Sequence, residues 1–288
     1  MARRAEALGA RLPPLLVAAE RVAATVAQGV HGRRRTGQGE SFWQFRPFTA
    51  GDPVARIDWR QSAKSDRAFV RETEWEAAQT VLLWRDASAS MRWRSRLAGS
   101  EKQERAGLLL LALAALLLRG GERVALLGER PVAGRAGLDR LAAMLEQDMG
   151  GLASAPGDAT GLPPEVFVPR HARVVLIGDF LAPLEQIQAS VARLAAIPVS
   201  LHLLQVLDPA EATLPYQGRV RFQGLEQEAD LLVPRVEGVR AAYAQALESH
   251  QAGLAAIAAG AGCRFAIHRT DYPAEAALLG LYTALASR

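Results

Sequence analysis

Residues 80–90 read TVLLWRDASAS, an apolar run without polar alternation that stops at Asp86 and is followed by Ser88 and Ser90. Such a run suits a strand buried on both faces of a parallel sheet, with Asp86 at its carboxyl end. In open α/β sheets, the loops beyond the carboxyl ends of the strands form the crevice where ligands bind. Asp-x-Ser-x-Ser therefore sets one carboxylate and two hydroxyls on a single turn where chemistry is expected. Hard oxygen donors of this kind suit Mg²⁺, which takes near-octahedral oxygens and keeps several of its waters.

Working outward, residues 102–119 predict a helix, and its stretch 108–118 is apolar all round, so the rest of the fold must cover it. Gly120 and Gly121 stop it, and residues 122–128 (ERVALLG) give a second strand, the β-α-β arrangement of a parallel sheet. A helix over 137–147 and a loop rich in Gly, Pro, Ala and Ser over 150–164 follow. Residues 171–180, HARVVLIGDF, repeat the opening pattern and place Asp179 at another strand's carboxyl end. If the two strands are neighbours, its carboxylate approaches the turn of Asp86, Ser88 and Ser90. A helix (184–196), a strand (199–206), a β-hairpin (219–222 with 228–233), a long helix (236–259), a strand (263–268) and a closing helix (273–286) complete the chain. The expected class is α/β, with a doubly wound, mainly parallel sheet over residues 80–288.

Residues 1–79 read as a separate unit packed on that domain. Pro13 and Pro14 can open a helix over 15–28. Arg33, Arg34 and Arg35 then lie in a loop with Gly37 and Gly39; one short basic cluster reads as a solvated loop, so nucleic-acid binding is not expected. Aromatic and β-branched residues alternate with charges over 42–76, which predicts short strands and turns. Asp58, Trp59, Arg60, Arg71 and Glu72 are expected to form an ion-pair and stacking network that pins this β-rich unit to the main domain.

Half of the 288 residues are hydrophobic and 22% are charged, the balance of a globular chain and not of a disordered one. The net charge of +4 is almost all arginine, with Lys64 and Lys102 the only lysines. Cys263 stands alone, which rules out an intramolecular disulfide and a cysteine-based metal site and suits a reducing compartment. Glu6, Pro13, Pro14 and Glu20 interrupt any signal-peptide core. The apolar run 108–118 is shorter than the roughly 18 residues of a membrane span, so a cytoplasmic protein is expected.

Neither a Gly-x-x-x-x-Gly-Lys-Ser/Thr loop nor a Gly-x-Gly-x-x-Gly turn after a strand is present, so no nucleotide cofactor is expected. Ala87, Ala89 and Met91 flank the serines where a nucleophile elbow needs glycines. Phosphate transfer through Asp86 would usually need a second acid two residues on, where Ser88 stands. His31, His171, His202, His250 and His268 include no pair four apart that could hold zinc on one helix face. His202 reads as a satisfied core residue and Cys263 as a small buried hydrophobe. The expected function is non-enzymatic. The alternatives are a Mg²⁺-dependent hydrolase acting at the same strand ends, or a purely structural scaffold with a degenerate site.

Residues 56–91, RIDWRQSAKSDRAFVRETEWEAAQTVLLWRDASASM, resemble the signature of the domain of unknown function 58 (DUF58) family, bacterial proteins with a von Willebrand factor A-like domain. The resemblance extends to the hairpin, the long helix and HRTD at 268–271. It implies a metal-ion-dependent adhesion site, with Ser88 and Ser90 as direct Mg²⁺ ligands and Asp86 and Asp179 acting through water. A threonine from a later loop would add a ligand, and a partner's carboxylate would complete the octahedron. The stretch 128–141, GERPVAGRAGLDRL, where that threonine is sought, offers none; Arg130 or Arg135 is expected to project toward the aspartates and compete with the metal. The resemblance further implies an interaction module acting with a MoxR-type AAA+ ATPase in assembly or maturation of client proteins.

Overall fold

Helix α1 (Pro14–Val30) buries Leu16, Ala19, Val22, Ala23 and Val26, which recur three and four residues apart and so form one face. In this computed structural model, which describes residues 14–30, 42–49, 52, 54, 57–65, 67–73, 78–149, 161–225 and 229–286, the chain divides into two compact units. Residues 34–78 form the smaller one. The apolar face of α1 packs on the helix at Lys102–Arg119, so α1 belongs to the larger unit and not, as expected, with the β-rich stretch. Amphipathic spacing states that a helix has a partner but not which one.

In the smaller unit, strands β1 (Phe42–Pro47) and β2 (Phe69–Thr73) pair antiparallel, with a one-turn helix α2 (Trp59–Ser62) between them. Asp58 is that helix's N-cap: Gln61 N–H donates to its Oδ1 at 2.9 Å. The expected ion-pair and stacking network is corrected at Asp58 and Trp59. Asp58 is occupied by capping, Trp59 is 67% exposed and has no ring partner among the described residues, and the side chains of Arg71 and Glu72 lie outside the described residues, as does the 33–35 loop.

The larger unit is built on five parallel strands: β3 (Thr80–Arg85), β4 (Arg123–Leu126), β5 (Arg173–Gly178), β6 (Ser200–Leu207) and, at one edge, β9 (Arg264–Arg269). Successive residues face opposite layers. Val81 and Leu83, Val175 and Ile177, Leu204 and Val206 enter one core; Leu82, Val174, Leu176, Leu201 and Leu203 enter the other. The first core is closed by α1, α3 (Lys102–Arg119), α4 (Gly134–Met149) and α8 (Ala274–Ala286), the second by α5 (Leu184–Ala195) and α7 (Arg240–Gly260). Helices on both faces make the sheet doubly wound, as the unbroken apolar runs require. α3 can be apolar all round because the sheet, α1, α4 and α8 surround it. Between β6 and α7 lie a one-turn helix α6 (Pro209–Thr213) and an antiparallel hairpin, β7 (Val220–Phe222) with β8 (Leu231–Val233). Among the described residues no helix is long and apolar enough to cross a membrane.

His202 on β6 and His268 on β9 are 3% and 5% exposed. His202 is not the satisfied residue expected. Its Nδ1 meets no partner among the described residues, and its Nε2 lies 3.4 Å from Ser200 Oγ. Burial, with Arg264 and Arg173 nearby, pushes His202 down to about 4; burial and Arg105 do the same to His268. Cys263 is only half-buried, and burial raises its thiol to about 11. The unfolded chain therefore holds two protons that the native state refuses between about pH 6.5 and 4, and stability falls as pH drops through that window. Each imidazole contributes up to ~3 kcal/mol of this loss. Urea denaturation at about pH 7 and about pH 4.5 should show it. His202→Leu should remove its share of the slope, and an unchanged slope in that variant would refute the assignment.

Candidate functional site

Taken in the order in which the chain enters it, the central sheet runs 2-1-3-4-5, because β4 lies on one side of β3 and β5, β6 and β9 on the other. The chain reverses its direction of winding between β3 and β5, and the crevice beyond their carboxyl ends is where such sheets bind ligands. Asp86 follows β3 and Asp179 follows β5, so both sequence-predicted aspartates stand at this switch point.

Asp86 N–H donates to Ile177 O at 2.8 Å, carrying the ladder one residue past β3. This sets Asp86 against Gly178, where an added Cβ would lie 2.8 Å from Asp86 Cβ. A side chain at 178 would push the carboxylate away; glycine lets it stay. Ser88 N–H donates to Asp86 Oδ1 at 2.8 Å, the local turn that aspartate favours. Ser88 Oγ and Ser90 Oγ are 3.0 Å apart. Ser90 Oγ donates to Asp179 Oδ2 at 2.6 Å, a length typical of a hydroxyl on a carboxylate. The four residues thus converge: Asp86, Ser88 and Asp179 are at most 2% exposed and Ser90 is half-buried. The following residue, Phe180, takes φ 51°, a region costly for a residue with a Cβ, and its carbonyl lies 2.7 Å from His250 Nε2.

The cation at the site is not the one expected. Arg135 pairs with Glu20 and with Asp139, and Arg130 is exposed; neither bonds Asp86 or Asp179. Lys102 takes the place assigned to them. Its side chain is fully buried, and its Nζ donates to Asp179 Oδ2 at 2.9 Å and to Glu211 Oε1 at 2.5 Å. Burial alone would lower the Lys102 pKa, but Asp179 and Glu211 outweigh it and hold the ammonium above its ordinary range. Burial pushes the Glu211 carboxyl up, while Lys102 pulls it down with less effect.

Local capping explains how these groups are held. Glu101 and Glu104 form a capping box at the start of α3, which fixes Lys102 in the first turn. Asp208 caps α6, accepting from Ala210 N–H at 2.8 Å, and its other oxygen accepts from Ser95 N–H at 2.8 Å. Glu211 closes the α6 box by accepting from Asp208 N–H at 2.8 Å. Lys102 and Glu211 were not singled out from the sequence. The available signal was that Lys102 is the larger unit's only lysine and opens the helix after Asp-x-Ser-x-Ser.

A Cβ on Gly161 would lie 3.6 Å from Asp86 Oδ2 and 3.9 Å from Ser88 Oγ, so the backbone at 161 borders the site. In sequence, Gly161 follows Thr160, which lies outside the described residues. Among the described residues, no group of three or more His, Cys, Asp or Glu could hold a metal ion. An ion here would therefore depend on the serine hydroxyls.

Fold and site together define a doubly wound α/β protein with a buried carboxylate and hydroxyl cluster at its switch point. The chain matches the family described as "Protein of unknown function DUF58" over residues 44–253, and it belongs to that family. It is 26% identical over 260 residues, 85% of this chain and 80% of the relative, to uncharacterized proteins of Mycobacterium bovis (Mb1516) and Mycobacterium tuberculosis (Rv1480). Two solved structures are similar at low scores. The conserved hypothetical protein BatB of Bacteroides thetaiotaomicron gives a TM-score of 0.39 at 16% identity, covering 73% of this chain and 100% of that one. An aerotolerance-related membrane protein of Bacteroides fragilis, carrying multiple mutations to serines, gives 0.41 at 15%, covering 73% and 99%.

Removing the ammonium leaves Asp179 as a buried, uncompensated charge. Lys102→Met should therefore destabilise the protein by ~3–5 kcal/mol in chemical denaturation. A loss below about 1 kcal/mol, the size of an exposed pair, would show that the network is solvated.

Proposed function

We propose that the protein is a non-catalytic docking module whose switch-point cluster holds Mg²⁺ for a partner's carboxylate. It would work with a MoxR-type AAA+ ATPase in the assembly or maturation of client proteins. The observation that carries this reading is the 3.0 Å separation of Ser88 Oγ and Ser90 Oγ beside two strand-end aspartates. Adjacent ligands on an octahedral Mg²⁺ with bonds of about 2.0–2.1 Å stand ~3 Å apart, so the hydroxyl spacing fits. Ser88 and Ser90 would hold the ion directly and Asp86 and Asp179 through water, as the family resemblance implies. The bound ion would supply a positive point for an incoming carboxylate. Lys102 already balances Asp179, so the grip on the ion is weak and the partner's carboxylate is needed to complete it.

A docking role is favoured over hydrolysis by the bonding of the serines. Ser90 donates to Asp179, and that carboxylate is engaged by Lys102. An oxygen so occupied is poorly placed to take a proton from a nucleophile. The MoxR-type partner rests on the resemblance alone.

Titration calorimetry with Mg²⁺ and Mn²⁺ tests the site. Wild type should bind, and Asp86→Ala should weaken binding by about tenfold or more while leaving the fold intact. The co-expressed ATPase should be captured by wild type and less by Ser88→Ala. Absence of heat in wild type would end the metal reading. Turnover of generic phosphate or ester substrates, lost in Asp86→Ala, would replace it with the hydrolase. Site variants that capture the ATPase as wild type does would leave a structural scaffold.

A further inference from the structure

Between helix α8 and the last two strands of the sheet, β6 and β9, lies a cavity of about 370 Å³. Strand register explains what faces it. His202 pairs with Arg264, Leu204 with Ala266 and Val206 with His268, and residues two apart share a face. Leu204 and Val206 enter the core closed by α1, α3 and α8, so His202, Arg264, Ala266 and His268 lie on that same side. Helix α8 packs chiefly on α3 and α1, which leaves this corner of the edge strand uncovered.

The walls are apolar: Leu204 and Ala266 from the strands, and Ala276, Ala277, Gly280 and Leu281 from the helix. A Cβ on Gly280 would meet nothing within 4 Å, so packing does not require glycine there, although glycine weakens a helix interior. Its effect is to keep the opening clear. Two polar groups interrupt the walls. His202, 3% exposed, lines the cavity, and its Nδ1 has no hydrogen-bond partner among the described residues. A buried polar atom left unpaired is costly, and a ligand that supplies the missing bond relieves that cost. Burial, with Arg264 and Arg173 nearby, holds the imidazole neutral. When Ser200 Oγ donates to Nε2, 3.4 Å away, Nδ1 carries the proton and is a donor. His268 is already engaged by Arg105 Nη1 at 3.4 Å. Arg264 is the second group, exposed at the rim. Among the described residues no carboxylate pairs with it, and no aspartate or glutamate lines the cavity.

We propose that this cavity binds a carboxylic acid with an apolar body, of the size of a medium-chain fatty acid. Its carboxylate sits between Arg264 and His202, and its chain lies along Ala277 and Gly280. Paired residues on neighbouring strands stand about 4.8 Å apart, so the guanidinium and the imidazole reach one carboxylate. Small-molecule sites span about 300–1,000 Å³, and this cavity is at the low end of that range. A lining with one guanidinium and no acid prefers an anion to a cation. A nucleotide or sugar phosphate would leave its many polar groups unpaired against these walls. The cavity shares no residue with the switch-point cluster, so the proposal does not depend on the docking reading.

Titration calorimetry of the full chain with decanoate, decanol and decylammonium, each below its micellar concentration, tests the assignment. Decanoate should bind saturably with a negative heat-capacity change, the mark of buried apolar surface. Arg264→Gln should weaken it about tenfold, the scale of one lost charge-assisted bond, and His202→Leu a few-fold. Gly280→Phe, which fills open space, should abolish binding at an unchanged urea midpoint. Absence of saturable heat in wild type, decanol or decylammonium binding as tightly as decanoate, or normal decanoate binding by Gly280→Phe would each overturn the proposal. Self-association of wild type that Gly280→Phe abolishes would overturn it too, because the cavity would then belong to a second copy of the chain.

Discussion

One ammonium group, on Lys102, sits between carboxylates delivered by the ends of two neighbouring strands, in a space almost closed to water. Burying any of these charges alone would cost several kcal/mol, so each persists only because the others are present. The arrangement constrains three elements at once. Helix α3 must begin at this depth, β5 must end at Asp179, and the turn after β6 must coil into α6 to present Glu211. The capping boxes of α3 and α6 hold the two ends of the bridge from opposite sides.

Asp179 is the hinge between two kinds of chemistry. One of its oxygens, Oδ2, accepts both from Lys102 and from Ser90, so the charge network and the hydroxyl pair meet on a single atom. Displacing Ser90 alters the environment of Lys102, and the reverse holds too. The switch point explains why such a site can exist. Only where winding reverses do two adjacent strand ends diverge and leave room for side chains that are polar yet shielded.

Much of this was legible in the sequence. Runs buried on both faces announced β3, β5 and β6, and the acids that ended the first two announced the crevice. Asp86, Ser88, Ser90 and Asp179 were readable because apolar strands stop at them. Lys102 was not, because a lysine opening a helix reads as solvated until its partners, 77 and 109 residues away, are known. Asp58 was misread for a local reason: Asp-Trp-Arg-Gln is a capping pattern, and the aromatic residue inside it suggested stacking. The placement of α1 was beyond reach, since its apolar face would suit either unit.

The scarcity of lysine has a practical corollary. Of the two amines on side chains, Lys102 is fully buried in the larger unit, whereas Lys64, in the smaller, is exposed. Acylating reagents would therefore place a dye on side chains of the smaller unit and none on the larger. A fluorophore carried on Lys64 would, with no engineered cysteine, become a reporter of how that β-rich segment tumbles.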